Sequence, residues 1–157
     1  IGSLMKNIFE ELAWRGYLTP RLDAAKVHPI LNHLIVGVLW WAWHLPYYYY
    51  FLDHAVLEAA ITTSIPVFLA IGFFVMLPTS ILFGELRLIS KSVWTVFILH
   101  EVINGLSMPL IINGFIKTNG LLGTIFTPTN EGIVTSILFG AAGWMLYQYR
   151  MKNMTNK

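Results

Sequence analysis

The sequence predicts an all-α fold: a polytopic transmembrane bundle of about four to five helices, forming a single unit over residues 1–157. Three observations carry this prediction. The chain is 56% hydrophobic and 15% aromatic, with a mean hydropathy of +0.63. Only 11% of its residues are charged, against about 25% in soluble domains. Its apolar runs reach roughly 20 residues, the length at which a helix spans a bilayer.

Charge and cysteine content exclude several classes of protein. The formal net charge is +2, and no basic run is long enough to track a phosphate backbone, which argues against a nucleic-acid partner. The chain has no cysteine, which excludes disulfides, iron–sulfur clusters and cysteine nucleophiles. It opens at Ile1 without a signal-peptide pattern, and we expect it to be the C-terminal part of a longer membrane protein.

The first two helices are predicted from apolar periodicity and from the residues that break it. We expect the first over about Ser3–Leu18, where Gly16 and Pro20 close the segment. The second should cover about Ile30–Phe51, with Pro46 kinking or ending it. The many Trp and Tyr residues near its end are typical of an aromatic belt at a membrane interface.

The remaining three helices are expected at His54–Leu77, Val93–Asn113 and Ile133–Tyr149. The first of these is the clearest transmembrane segment, with Glu58 near its start and Pro66 in its middle. Residues 78–92 should connect it to the next helix, and residues 114–132 read as a loop rich in Gly, Asn, Thr and Pro.

Lysine and arginine residues predict the orientation of the bundle. They cluster before the second helix, between the third and fourth, and after the fifth, which all fall on one side of the membrane. Only Lys117 falls on the other side. Because cytoplasmic segments carry the excess of Lys and Arg, the basic side should be cytoplasmic.

The segment FEELAWRGYL places three charged residues in the apolar first helix. An ionisable group inside a membrane costs about 3 kcal/mol, so it is normally paired or used. Glu11 and Arg15 are one turn apart, with the acid first, which is the favourable order for a helix ion pair. Glu10 points about 100° away, so it stays free for chemistry. The alternative is an interfacial amphipathic helix with a solvated charged face.

Two further helices carry polar pairs at helical spacing. His44 follows Trp40 by four positions, and Asn104 follows His100 by four. Taken alone, His44 fits an interfacial residue, and the second pair fits hydrogen bonding between helices. The stretch HEVIN lacks the second His of the zinc-protease pattern H-E-x-x-H, so we reject that assignment. Glu101 should turn away from the face of this pair and act as a packing or interfacial acid.

Taken together, the three helices supply a carboxylate, two imidazoles and an amide. Hydrolysis of an amide bond by water needs a base that removes a proton from the water. It also needs donors that stabilise the oxyanion of the tetrahedral intermediate. The combined set therefore favours an enzyme.

The three motifs are E-E-x-x-x-R-G from Glu10, W-x-x-x-H ending at His44, and H-x-x-x-N from His100. In this order they resemble the CPBP intramembrane proteases, also called the Abi or CAAX-protease-and-bacteriocin-processing family. The resemblance covers about Ile8–Leu106. The second motif of that family usually begins with Phe, where this chain has Trp40. Family members usually have further transmembrane helices before the first motif.

The resemblance implies an intramembrane endopeptidase, located in a bacterial plasma membrane with its active site on the cytoplasmic side. Glu10 matches the water-activating glutamate of the family, and His44 would help to position or deprotonate the water. His100 and Asn104 match the pair that holds the oxyanion. The substrate would be a prenylated protein tail, a bacteriocin leader or another membrane-associated peptide.

Glu11 and Arg15 would then be the supporting pair. Glu10, His44 and His100 offer a carboxylate and two imidazoles, a set that zinc accepts. A zinc enzyme and a metal-free glutamate mechanism are both open at this stage.

Two alternatives to an enzyme follow from the same residues. One is a non-catalytic bacteriocin-immunity or partner-binding membrane protein on the same scaffold. The other is a transporter fragment with a proton relay through Glu10, His44 and His100. The sequence shows no repeated halves of the kind that transporters usually have, and its polar set is complete, which favours the endopeptidase.

Overall fold

The computed structural model describes residues 2–51, 53–55, 64–107, 109–110, 115, 125–126 and 132–155. Within these ranges the secondary structure is helical and no strand occurs, which confirms the all-α prediction. The α-helices are α1 (Gly2–Glu11), α2 (Thr19–Ala24), α3 (Pro29–Pro46), α4 (Ile65–Ser90), α5 (Val93–Glu101) and α6 (Ile133–Thr155). Three π-helical segments extend them at Leu12–Leu18, Tyr47–Phe51 and Val102–Ser107.

The first helical segment continues past both of its predicted breakers. The π-helical Leu12–Leu18 joins α1 directly to α2, and the helix ends only near Ala24, before Lys26 adopts a φ of 62°. Pro20 follows directly on the π-helical turns, and the carbonyl oxygen of Arg15, five residues before it, accepts Nε of Arg87 at 2.9 Å in place of the N–H that proline lacks. The prediction that Gly16 and Pro20 end this helix is therefore wrong.

Helix α3 has nearly the predicted bounds. Pro29 lies in its first turn, after His28 in extended conformation, and Pro46 is its last α-helical residue. The π-helical Tyr47–Phe51 continues from there. The predicted helix Ile30–Phe51 and its change at Pro46 are both confirmed.

Helix α4 is displaced from its predicted position. It begins after Ser64, so that Pro66 lies in its first turn and not in its middle. The predicted connector over residues 78–92 is helical as far as Ser90. The part of the prediction at residues 56–63, including Glu58, lies outside the described residues.

Helix α4 is also the best candidate for a membrane span. It has 26 residues and a mean hydropathy of 2.2, and it is the one helix in the described part of the chain that is long and apolar enough to cross a bilayer. It ends where Lys91 takes up a left-handed conformation, φ 56°, and donates its N–H to the carbonyl oxygen of Arg87.

The last two helices begin where the sequence predicts. Helix α5 starts after Ser92, whose hydroxyl oxygen accepts the N–H of Trp94 at 3.3 Å and caps the helix. Helix α6 starts at Ile133 and continues to Thr155, beyond the predicted end at Tyr149. The predicted loop at 114–132 lies largely outside the described residues.

Helix α4 lies at the centre of the packing, between α3 and α6. Small residues permit the close approach: a Cβ at Gly143 would lie 2.7 Å from the backbone nitrogen of Leu82, and one at Gly37 would lie 3.0 Å from Cβ of Ser80. The buried apolar core lies beside the motif residues and consists of Trp40, Met76, Leu82, Phe83, Val96 and Ile103.

Candidate functional site

Each of the three motifs lies where an α-helix passes into a π-helical segment. Glu10 and Glu11 end α1, His44 comes just before the segment after α3, and His100 comes just before the segment that contains Asn104. Such wide turns are rare and occur frequently at functional sites. The backbone is therefore irregular at the same three places where the sequence places its polar residues.

Glu11 is fully buried and joins two of the motifs. Its Oε1 accepts Nη1 of Arg15 at 3.2 Å, as the spacing predicts. The same oxygen lies 2.7 Å from Nδ1 of His100, a contact that the local spacing does not reveal. The guanidinium of Arg15, also fully buried, lies over the rings of Trp40 and Phe83, with Cζ 4.1 and 4.9 Å from their centroids.

Glu10 occupies a different environment from its neighbour. Its Oε2 accepts the indole N–H of Trp40 at 3.0 Å, and its Oε1 lies 3.4 Å from the ammonium of Lys6, whose side chain is half exposed. Glu10 is 6% exposed and lies within electrostatic range of His44 and His100. The two adjacent glutamates thus point to different partners, as the helical geometry predicts.

Both site histidines are held through Nδ1. In His44 this nitrogen lies 2.8 Å from the carbonyl oxygen of Trp40. A carbonyl only accepts, so His44 carries its proton on Nδ1, and Nε2 of the neutral ring keeps its lone pair. Nδ1 of His100 likewise carries a proton, which it donates to the carboxylate of Glu11 at 2.7 Å. Nε2 is therefore the nitrogen that each ring leaves for chemistry.

Asn104 is oriented by a residue that the sequence analysis missed. Its Nδ2 donates to Oδ1 of Asn7 at 3.0 Å, and Nδ2 of Asn7 donates to Oε2 of Glu101 at 2.7 Å. Glu101 therefore packs against α1 through Asn7. Asn7 is fully buried and lies four residues before Glu11, on the same helix face, which is the signal that would have found it.

Trp40 lies at the centre of this group. Its ring centroid is 6.3 Å from that of His44 and 5.5 Å from that of His100, and it also contacts Glu10 and Arg15. The structure thus places four of the six predicted site residues directly around one buried indole, and Glu11 joins them through Arg15 and His100. Asn104 is not part of this group and is linked to α1 through Asn7. A carboxylate, two imidazoles and an amide in one apolar helical bundle can perform hydrolysis of the kind that the sequence predicts.

The described residues do not assemble a zinc site. No group of three or more His, Asp or Glu side chains among them is placed to hold a metal ion. Within the predicted set, the two oxygens of Glu10 face the indole N–H of Trp40 and the ammonium of Lys6. A cation beside the carboxylate opposes binding of a second, divalent cation. Zinc at Glu10, His44 and His100 therefore does not fit this arrangement.

A second buried polar cluster joins three other helices. Glu85 on α4 accepts Nε and Nη2 of Arg150 on α6, at 2.6 and 2.8 Å, and lies 2.7 Å from Nε2 of His33 on α3. The sequence analysis assigned no role to Glu85 and found neither of its partners. An ionisable group in a membrane needs a partner, so the position of Glu85 in an apolar run indicates that other polar side chains should lie beside it.

A helical bundle that buries carboxylate, imidazole and amide groups has the functional groups that an intramembrane protease requires. The sequence model of one family, described as type II CAAX prenyl endopeptidase Rce1-like, matches residues 1–106. The chain belongs to this Rce1-like family, as its three motifs indicated. The match includes all three motifs, whereas α6 lies beyond it. No curated protein and no solved structure matches the chain.

Proposed function

We propose that this chain is an intramembrane endopeptidase that hydrolyses an amide bond in a membrane-associated peptide or protein, by a glutamate-dependent reaction without a metal. Family membership supports a CAAX-protease type of activity in general. The observation that carries the specific proposal is the convergence of Glu10, His44 and His100, from three helices, on Trp40.

In the first step, the carboxylate of Glu10 removes a proton from a water molecule. Nε2 of His44 accepts a hydrogen bond from the same water and orients it, because the Nδ1 proton is already donated to the backbone. The water oxygen forms a bond to the carbonyl carbon of the substrate. The π-electron pair of the carbonyl moves to its oxygen, which becomes the oxyanion.

His100 and Asn104 stabilise that oxyanion. Asn104 uses one N–H to bind Asn7 and keeps the other for the substrate. In this role His100 donates from Nε2, while its Nδ1 proton binds the carboxylate of Glu11 and fixes the ring. The carbonyl then re-forms, the C–N bond breaks, and Glu10 returns its proton to the amine, which leaves a free carboxyl and a free amino terminus.

We also propose the membrane setting that the charge distribution supports. Basic residues accompany the end of α2, the end of α4 and the end of α6. Under the positive-inside rule these ends face the cytoplasm. The substrate would then be a membrane-associated peptide that reaches the site from the cytoplasmic side of a bacterial plasma membrane.

The test is cleavage of a library of membrane-tethered peptides by the purified full-length protein. Glu10→Gln removes the base and keeps the size of the side chain, so we expect a fall in kcat of about 10³-fold. The matched control is Asp23→Asn, an exposed carboxylate on α2, which should keep the parent rate. Cleavage at the parent rate by Glu10→Gln would refute the proposal.

A chelator tests the metal-free part separately. We expect 1,10-phenanthroline to leave the rate unchanged, because the described residues form no metal-binding group. A rate that falls with the chelator and returns with added zinc would assign a metal to the reaction and overturn this part.

A further inference from the structure

The family to which this chain belongs usually has Phe at the first position of the second motif, and this chain has Trp40. The ring of a Phe would keep the aromatic packing, but it has no N–H. Nε1 of Trp40 donates to Oε2 of Glu10 at 3.0 Å, and Trp40 is 1% exposed. The substitution in the motif therefore adds one buried hydrogen bond to the side chain that we propose as the base.

The chemistry of the two groups fixes the direction of this hydrogen bond. An indole N–H only donates, and an ionised carboxylate only accepts. The contact is therefore charge-assisted and favours the ionised form of Glu10. It also occupies Oε2, so that Oε1, which lies 3.4 Å from the half-exposed ammonium of Lys6, is the oxygen that receives a proton from water.

The rest of the Trp40 side chain is fixed by its neighbours. Cζ of Arg15 lies 4.1 Å above its ring centroid, and the rings of Phe83 and His100 pack against it with centroids 5.6 and 5.5 Å away. A ring held on several sides keeps its N–H in one direction. The donor is therefore preorganised before a substrate binds.

From these contacts we infer that Trp40 is a positioning residue for the hydrolysis: its indole N–H holds the carboxylate of Glu10 ionised and presents Oε1 to the water. The inference rests on the proposed function, because it assigns Trp40 a role through Glu10. It adds a residue that the motif of the family does not supply, since a Phe at this position has no donor.

The test is Trp40→Phe, which removes the N–H and keeps an aromatic ring. We expect kcat to fall about tenfold with KM unchanged within about twofold. We also expect the acid limb of the pH profile of kcat to move to higher pH by about one unit, because a carboxylate that loses a donor takes up a proton more readily.

The matched control is Trp41→Phe. Trp41 also donates its indole N–H, at 3.1 Å, but to the backbone carbonyl of Leu69. Its loss should lower the thermal stability and leave kcat and the pH profile of the folded protein unchanged. Replacing Trp40 with 3-benzothienylalanine, which keeps the bicyclic shape without the N–H, should reproduce the pH shift with the ring packing retained.

The outcomes separate the two proposals. If Glu10→Gln is inactive while Trp40→Phe and the benzothienyl variant keep the parent kcat and pH profile, the inference about Trp40 is overturned and the proposed function stands. If Glu10→Gln cleaves at the parent rate, both proposals are overturned.

A second readout does not need activity: the indole N–H resonance of Trp40 should shift as Glu10 titrates, and Glu10→Gln should abolish that shift. A resonance unaffected by Glu10→Gln would also overturn the inference.

Discussion

Two buried clusters in this molecule contain the same three kinds of side chain. The site cluster consists of Glu11, Arg15 and His100, and the anchor cluster consists of Glu85, Arg150 and His33. In the anchor cluster both carboxylate oxygens are bonded, because the arginine binds with two nitrogens. In the site cluster one oxygen receives both partners, and Oε2 of Glu11 has no hydrogen-bond partner among the described residues.

The difference between the histidines shows how the same composition serves two purposes. His33 binds its glutamate through Nε2, and its Nδ1 is buried without a hydrogen-bond partner among the described residues. His100 binds through Nδ1, which leaves Nε2 for a substrate. The anchor cluster is therefore suited to holding helices together. The site cluster is suited to holding one histidine in a defined orientation.

The largest expected effect comes from removing the arginine of the anchor cluster. Arg150→Met leaves the carboxylate of Glu85 buried without its bidentate partner, which should lower the free energy of unfolding by about 3–5 kcal/mol. Titration with SDS in mixed micelles measures this loss. The double variant Glu85→Gln with Arg150→Met removes the uncompensated charge and should recover part of the stability. Parent stability in Arg150→Met would mean that the cluster is not an anchor.

The next effect compares the two histidines. His100→Gln removes a donor to the oxyanion and should lower kcat by about 10²–10³-fold. His33→Gln should leave kcat per folded molecule unchanged and lower only the stability, since Glu85 loses one of its buried partners. Cleavage rates normalised to the folded fraction distinguish the two. Equal losses of kcat in both variants would remove the functional distinction between the clusters.

The smallest effect is expected at Asn7, which acts on the site through Asn104. Asn7→Ala leaves the amide of Asn104 without its orienting acceptor, so kcat should fall about tenfold while KM stays nearly constant. The control is Asn153→Ala, an exposed asparagine whose Nδ2 donates to the carbonyl oxygen of Tyr149. A kcat in Asn7→Ala equal to that of the control would show that Asn104 does not need this support.

The sequence predicted what depends on local spacing. The pair Glu11 and Arg15 lies one turn apart on one helix, so the chain geometry alone places them in contact. The predicted starts at Ile30, Val93 and Ile133 agree with those of α3, α5 and α6 to within one residue.

Contacts between distant segments could not be predicted in the same way. Glu85 is 52 residues from His33 and 65 from Arg150, so no local period connects them. The prediction that Pro66 lies in the middle of a helix was wrong for a different reason. A proline is compatible with the first turn of a helix as well as with a kink, and spacing alone does not distinguish the two. Packing against α3 and α6 gave α4 its actual position.

The bond between Arg150 and Glu85 also bears on the smallest part of the chain that folds independently. A polypeptide that stopped at residue 106 would contain every side chain to which we assign a catalytic role, and it would match the family as well as the full chain does. It would nevertheless bury the carboxylate of Glu85 without its guanidinium partner. We therefore expect a chain cut after residue 106 to be less stable than one that keeps α6, although both contain the three motifs.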